Sequence, residues 1–348
     1  MRINETPVRT ANNFNINNIS LDNIEFPSNI TDFNDLKIIC NDTKVSIGNS
    51  TSKICLTYGL GDELTSLVRE KSNSRVNINI NSKTNKEVCM SYSLDENNVL
   101  IEDIEITANE GTKETVIIKY ASNNFAFHDG IIRINAKKNS YLNIIVVNLL
   151  DKSSNNFLSI QNNMEENSNV KFTMVDLGAQ NSITNYYSNM NGDFAKNYVS
   201  AIYLGDGMQM LDLNYITELS GKNSNIKIDI QGALSDFAKK HFKGTIDFKK
   251  GCKKSVGDEN ESCMLLSDKA KSISLPMLLC SEEDVEGNHS CSAGRIDDKE
   301  LFYIMSRGFS LKEALKLMVK AKFNKILETI PNEDLTNEII NDIDKRFD

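Results

Sequence analysis

Three stretches of the chain decide its fold: KNSYLNI at residues 138–144, ENSNVKF at 166–172 and KNSNIKI at 222–228. The second begins 28 positions after the first, and the third begins twice that step after the second. The skipped turn near residue 194 carries the looser AKNYVSAI, and EGTKETVII, from Glu110, stands one step before Lys138. A fixed period of this size marks a coiled architecture in which each turn stacks on the last. Around these turns lie short β-branched runs: VNINI, NVLIEDIEIT, TVIIKY, YLNIIVVNLL, VKFTMV, YVSAIYL and IKIDI. Asn, Ser, Gly, Asp and Lys separate them, and proline is almost absent, which reads as many short strands joined by polar turns. A parallel β-helix fits best, with strands of neighbouring turns ~4.8 Å apart. An irregular β-sandwich with chance Asn-Ser turns is the alternative.

The flanks differ in texture. Three regions follow: an N-terminal arm and helix (1–74), a β-helix core (75–294) and a C-terminal helical module (295–348). Residues 1–35 are Asn-rich and read as an extended arm. In GDELTSLVREKSN, at 61–73, Leu64, Leu67 and Val68 share one helical face. Past Gly294, DDKELFYIMSRG reads as a helix capped by Asp297, with Glu300 at the capping-box position, and ended by Gly308. Ser310 and Glu313 open a second helix lined on one side by Leu311, Ala314, Leu315 and Met318, and Pro331 stops it. Leu335, Ile339, Ile343 and Phe347, four residues apart, define a third. A module this small must dock on something.

The 28-residue step also reaches VEGNHSCSAG, residues 285–294. Counting back places Glu261 under His289 and Cys263 under Cys291. Residues i and i+2 of a strand share a face, so these four would form a square with edges of roughly 5 to 7 Å. Two thiols, an imidazole and a carboxylate can hold a soft or borderline metal ion such as iron or zinc. Two other readings stay open: both cysteines are packing residues, or Pro276 changes the turn length and moves the register.

Composition narrows the function. With 348 residues and a net charge of −9, the chain lacks the overall basic character of a nucleic-acid or anionic-membrane binder. No window has the apolar length to span a bilayer, and MRINETPVRTANNFNINN does not read as a secretory signal. Seven scattered cysteines, an odd number without a CxxC pair, point to reduced thiols in a cytoplasm. No GxxxxGK[ST] stretch occurs, so no ATP is expected to bind this chain by that route. A β-helix carbohydrate enzyme would need clustered carboxylates with aromatic platforms, and the chain has no Trp.

The stretch from MLLSDKAKSISLPMLLC through EEDVEGNHSCSAGRIDDKELFYIMSRG to SLKEALKLMVKAKFNKIL closely resembles the C-terminal part of the SufB/SufD proteins, scaffold subunits of the SUF iron–sulfur cluster assembly machine. LIEDIEITANEGTKETVIIKYAS, AFHDGIIRINAKKNSYLNI and HFKGTIDFKKG are similar to the family's core, and TPVRTANNFNIN looks like a worn version of an N-terminal segment of short SufD proteins. The resemblance implies a right-handed parallel β-helix between terminal helical segments, and a non-enzymatic cytoplasmic scaffold. It implies pairing with a SufB-type scaffold, with a homodimer as the alternative for the isolated chain. It also implies a SufC-type ABC ATPase docking on the C-terminal module. Expected partner contacts there are Phe302, Arg307, Gly308, Ala314, Leu315 and Met318. Iron or a nascent cluster would pass through transiently, with His289 as the retained family residue and Cys291, Cys263 and Glu261 as candidate ligands. SufB-type scaffolds carry Cys at the position of Glu261 and Glu at that of Ser290, so the chain looks like SufD. A purely structural β-helix subunit without metal, in which His289 is a satisfied interface residue, is the alternative.

Overall fold

The computed structural model describes residues 1–10, 15–21, 24–40, 44–47, 54–82 and 86–347. Among these residues the chain forms a β-solenoid of two nine-stranded sheets. Sheet I runs through Leu36–Cys40, Lys86–Ser93, Lys113–Ala121, Tyr141–Leu149, Asn169–Asp176, Lys196–Gly205, Asn225–Leu234, Ser255–Leu265 and Val285–Arg295. Sheet II runs through Lys44–Ile47, Ser74–Ile80, Val99–Ala108, Phe127–Ala136, Asn155–Met164, Asn181–Met190, Met210–Leu219, Lys239–Phe248 and Lys271–Cys280. The first strand of each sheet pairs antiparallel with the second, and every later pairing is parallel. Each parallel coil contributes one strand to each sheet.

The repeated Asn-Ser pairs sit at one corner of each coil. Asn139, Asn167 and Asn223 have φ of 58°, 53° and 54°, in the left-handed region that Asn tolerates better than most residues. Gly111, Phe194 and Lys254 take the same conformation at equivalent corners. The next residue turns inward: Ser140 and Ser168 are buried, and their hydroxyls donate to the carbonyls of Lys137 and Glu165 at 2.6 and 2.7 Å. Tyr141 pairs with Asn169, Asn169 with Lys196, and Lys196 with Asn225, so Ser140, Ser168, Ala195 and Ser224 stack along one axis. The three serines therefore occupy equivalent positions, as the repeat requires, and Ala195 fills the place in the looser turn.

Between the sheets lies a core of Val, Ile, Leu, Met and aromatic side chains, including Ile104, Ile118, Ile132, Val146, Leu158 and Phe172. The outer faces are also covered. The helix α1 (Asp62–Lys71), with buried Leu64 and Val68, packs with Ile3, Ile19 and Leu21 of the arm against Phe127, Ile131, Phe157 and Ile183 of sheet II. Three more helices follow the solenoid: α2 (Asp298–Ser306), α3 (Leu311–Leu327) and α4 (Glu333–Lys345). Asp297 caps α2 by accepting from the Lys299 amide, and Ser310 with Glu313 forms a complete capping box on α3.

Sheet I receives α3 and α4 through Val319, Phe323, Ile326, Leu327, Ile339 and Ile343, which pack on Ile117, Ile145, Val147, Val175, Ile202 and Leu204. The buried face of α3 thus differs from the expected Leu311, Ala314, Leu315 and Met318 stripe. Of these four Ala314 is buried, Leu315 and Met318 are half-buried and Leu311 is exposed. The stripe beginning at Val319 fits the groove of sheet I, and the N-terminal half of α3 extends past it.

The corner geometry gives a test. Asn167→Val places a β-branched residue in the left-handed region and should lower unfolding free energy by about 1–2 kcal/mol in urea. Asn167→Gly should change it by only a few tenths of a kcal/mol. Equal effects of the two substitutions would refute the conformational role of the corner.

Candidate functional site at the open end of the solenoid

Among the described residues the last coil has no coil above it. Lys271–Cys280 and Val285–Arg295 are edge strands, each paired along one side only, and such edges template pairing with another chain. Phe248, Leu278, Val285 and Gly287 help to line a recess of about 610 Å³ at this end.

The interior changes character here. Inward positions of the penultimate and last coils carry Lys240, Glu259, Glu261, Cys263, Ser272, Ser274, His289 and Cys291 in place of the aliphatic side chains below. Buried charge needs compensation. Glu261 and Lys240, both with fully buried side chains, meet at 2.8 Å. Tyr203 also donates to Glu261 Oε1 at 2.8 Å, and Ser274 donates to its Oε2 at 2.9 Å. Gly232 makes room for the Tyr203 ring, since a Cβ there would lie 1.8 Å from it.

Glu259 is different. It is 1% exposed, and neither carboxyl oxygen has a hydrogen-bond partner. It occupies space left by Gly244, where a Cβ would come within 2.2 Å of Oε2. Burial first, and then the Glu261 charge, push its carboxyl up to about 8.

The register corrects the expected square. His289 pairs with Glu259, Cys291 with Glu261, and Ala293 with Cys263. The step between these two strands is 30 residues where 28 was expected, because the last coil is longer: in sheet II its strand lies 32 residues after the preceding one. A shift of two preserves the face but moves the stack by one inward position. Glu259, absent from the expected set, therefore stands beside His289. Its signal was present in DENESC, where Glu259, Glu261 and Cys263 alternate onto one face. Lys240, Tyr203 and Ser274 come from other strands, and local spacing gave no sign of them.

The thiols are held neutral. Burial, helped by Glu259 and Glu261, pushes Cys291 up to about 12, and burial raises Cys263 despite the opposing effect of Lys240. A thiol ligates as thiolate, so both need a displacing cation before they can serve. Cys263 is 3% exposed and Glu261 is fully engaged. Among the described residues no group of three or more His, Cys, Asp or Glu is assembled to hold a metal ion. The site is thus an exposed imidazole beside a buried carboxyl, open toward whatever meets the end strands.

The other two histidines are engaged. His128 is buried, with Nδ1 2.7 Å from Asn156 Oδ1 and Nε2 3.3 Å from Glu102 Oε1, and His241 Nδ1 lies 3.4 Å from Asp212 Oδ2. His289 is exposed, and its ring makes no hydrogen bond to a described residue.

The solenoid is closed at one end by an antiparallel pair in each sheet and is followed by a helical tail. The chain belongs to the family described as SUF system FeS cluster assembly, SufBD core domain, which matches residues 91–322, two thirds of its length. Within that family it is SufD-like. It is 28% identical over 167 residues to the iron–sulfur cluster assembly protein SufD of Bacillus subtilis, covering 47% of this chain and 38% of that one. It is 24% identical over 240 residues to SufD of Escherichia coli, covering 68% and 57%. An iron–sulfur cluster assembly SufBD family protein of Pyrococcus horikoshii is 32% identical over 164 residues, covering 46% and 36%. The chain thus spans less than two thirds of the length of each of these curated relatives.

The raised carboxyl of Glu259 makes stability depend on pH. Its folded pKa of about 8 lies above the ordinary value of 4.5. The folded chain therefore holds a proton that the unfolded chain releases between those values. The contribution is fully present below 4.5 and is lost as pH rises through 8. Glu259→Gln removes the titration, so its stability advantage over the parent chain should grow by a few kcal/mol, to order of magnitude, between pH 5 and pH 9. Urea midpoints at both pH values check this, and a constant difference between the two chains would contradict it.

Proposed function

We propose that this chain is a SufD-type scaffold subunit, without catalytic activity of its own, that supports iron acquisition and cluster assembly in the cytoplasm. Iron or a nascent cluster is its cargo. The carrying observation is the pairing of exposed His289 with buried, unpartnered Glu259 on the interior face of the open coil. An imidazole and a carboxylate are suitable donors for ferrous iron. They are too few for a closed site, so the remaining ligands come from a SufB-type scaffold docked across the end strands. In this reading Cys291 is a reserve thiol beside the site. Cys263 and Glu261 shape the electrostatics beneath it.

A SufC-type ATPase docks on the tail. Phe302, Tyr303, Met305, Phe309, Leu311 and Leu317 are exposed large apolar side chains clustered in sequence from α2, through the turn after it, to the first half of α3. So many exposed large apolar side chains within one short segment favour an interaction surface there. Arg307 donates to the Tyr303 hydroxyl at 2.9 Å and stacks on its ring, with its guanidinium carbon 5.1 Å from the centroid. Gly308, with φ of 99°, permits the turn between the helices. Leu315 and Met318 are half-buried on the same helix, and Ala314 is buried.

Replacing His289 with Ala should cut the iron and sulfide recovered with the co-purified scaffold–ATPase complex severalfold. Because the ring is exposed, the urea midpoint should stay within about 0.5 kcal/mol of the parent. Unchanged iron and sulfide would sink the ligand role. A second test addresses the tail: Phe302→Asp with Tyr303→Asp should abolish ATPase co-purification without unfolding the chain. Truncating at residue 296 would be a poor test, since it would also strip the apolar cover of sheet I.

A further inference from the structure

Sheet I is covered on one half only. α3 and α4 lie over the Ile117, Ile145, Val147, Val175 and Ile202 side. The beginnings of the strands stay open. There, successive coils place Thr115, Asn143, Lys171, Tyr198 and Lys227 in one column, with Lys113 beside Tyr141 in the next. Together with Lys325, Thr329 and Pro331 at the end of α3 and beyond, they line a groove of about 650 Å³. That is within the range of pockets for small molecules, ~300–1,000 Å³.

The lining runs against the charge of the chain, which is −9 overall. It contains Lys113, Lys171, Lys227 and Lys325 and a single carboxylate, Asp229. That carboxylate is already occupied: Lys325 donates to it at 2.6 Å, Gln231 at 2.7 Å and Asn260 at 3.3 Å. Lys171 and Lys227 form no ion pair with any described carboxylate. They stand two coils apart, ~9.6 Å at the backbone, so their flexible arms can converge on one polyphosphate. Two aromatic rings are interleaved with them. Lys113 and Lys171 lie 4.9 and 5.9 Å from the centroid of Tyr141, and Tyr198 stands between Lys171 and Lys227 in the register. An apolar ligand would not suit four ammonium groups, and a bare phosphate would leave both rings unused.

We propose that this groove binds a ligand of the nucleotide class, with its phosphates on Lys171 and Lys227 and its planar ring against Tyr198. The inference does not depend on the cluster-assembly reading. Calorimetric titration of the full chain at low salt with ADP, inorganic pyrophosphate and a polyglutamate peptide tests it. ADP should saturate and bind about tenfold more tightly than pyrophosphate, the difference expected from one ring stacking contact. Tyr198→Ala should remove that difference. The double variant Lys171→Gln, Lys227→Gln should weaken ADP at least tenfold, and Lys171→Arg, Lys227→Arg should restore it. Both lysines are exposed, so these variants should fold. Failure of ADP to saturate at millimolar concentration, equal affinity for ADP and pyrophosphate, or indifference to the lysine variants would each overturn the proposal. So would binding of polyglutamate alone, which would make the groove a seat for an acidic protein segment.

Discussion

Everything in this molecule depends on the backbone hydrogen-bond ladder between consecutive coils. A parallel ladder needs each coil to return to the same place one strand-width higher, and the return is made at corners where the chain enters the left-handed region. Asn139, Asn167 and Asn223 do this with a side chain that tolerates the conformation. The ladder fixes which side chains point inward, and the lumen must then be filled or neutralised coil by coil. It also has an end. At the first coils an antiparallel strand covers each sheet. At the last coil no strand among the described residues does the same for Lys271–Cys280 and Val285–Arg295.

Polar chemistry collects at the open end and also in the middle coils, where His128, Asn156, Ser182 and Asp176 form a buried hydrogen-bonded chain. A buried lysine and glutamate in the middle of the stack would have to be sealed on both sides by further polar residues. One coil from the end, Lys240 and Glu261 are satisfied by Tyr203 below and Ser274 above. Glu259 lacks such partners. Its position next to His289 means that a proton and a cation compete for the same carboxylate.

Much of this was legible in the sequence. The Asn-Ser pairs carried the corners because the left-handed residue and the inward hydroxyl after it are both demanding positions. Corners built from Phe194-Ala195 and Lys254-Ser255 meet the same demand with residues that leave no recognisable trace. The register of the last coils does not follow from a constant 28-residue period, because their steps are 31 and then 30 residues in sheet I and 32 in sheet II. Glu259 was therefore overlooked in favour of Cys263, four residues away on the same face. The Lys240–Glu261 pair joins strands of different sheets, and no spacing rule along one strand can find it. On α3, the first apolar stripe met in the sequence is only partly covered, with Leu311 exposed and Leu315 and Met318 half-buried, and the stripe that packs on sheet I begins at Val319.

The tail is fastened to the solenoid along much of its height. Its apolar side chains reach five consecutive strands of sheet I, from Ile117 to Ala233. Lys119–Glu338, Lys325–Asp229 and Arg346–Asp206 add ion pairs at 2.9, 2.6 and 3.0 Å, and Lys322 donates to Ser262 at 2.7 Å. A force applied to α2 and the start of α3 is thereby distributed as shear over many coils, with no single hinge to absorb it. Ser262 lies directly between Glu261 and Cys263 on the penultimate strand. The tail thus touches the strand that carries the buried carboxylates and thiol of the open end as well as the coils far below it.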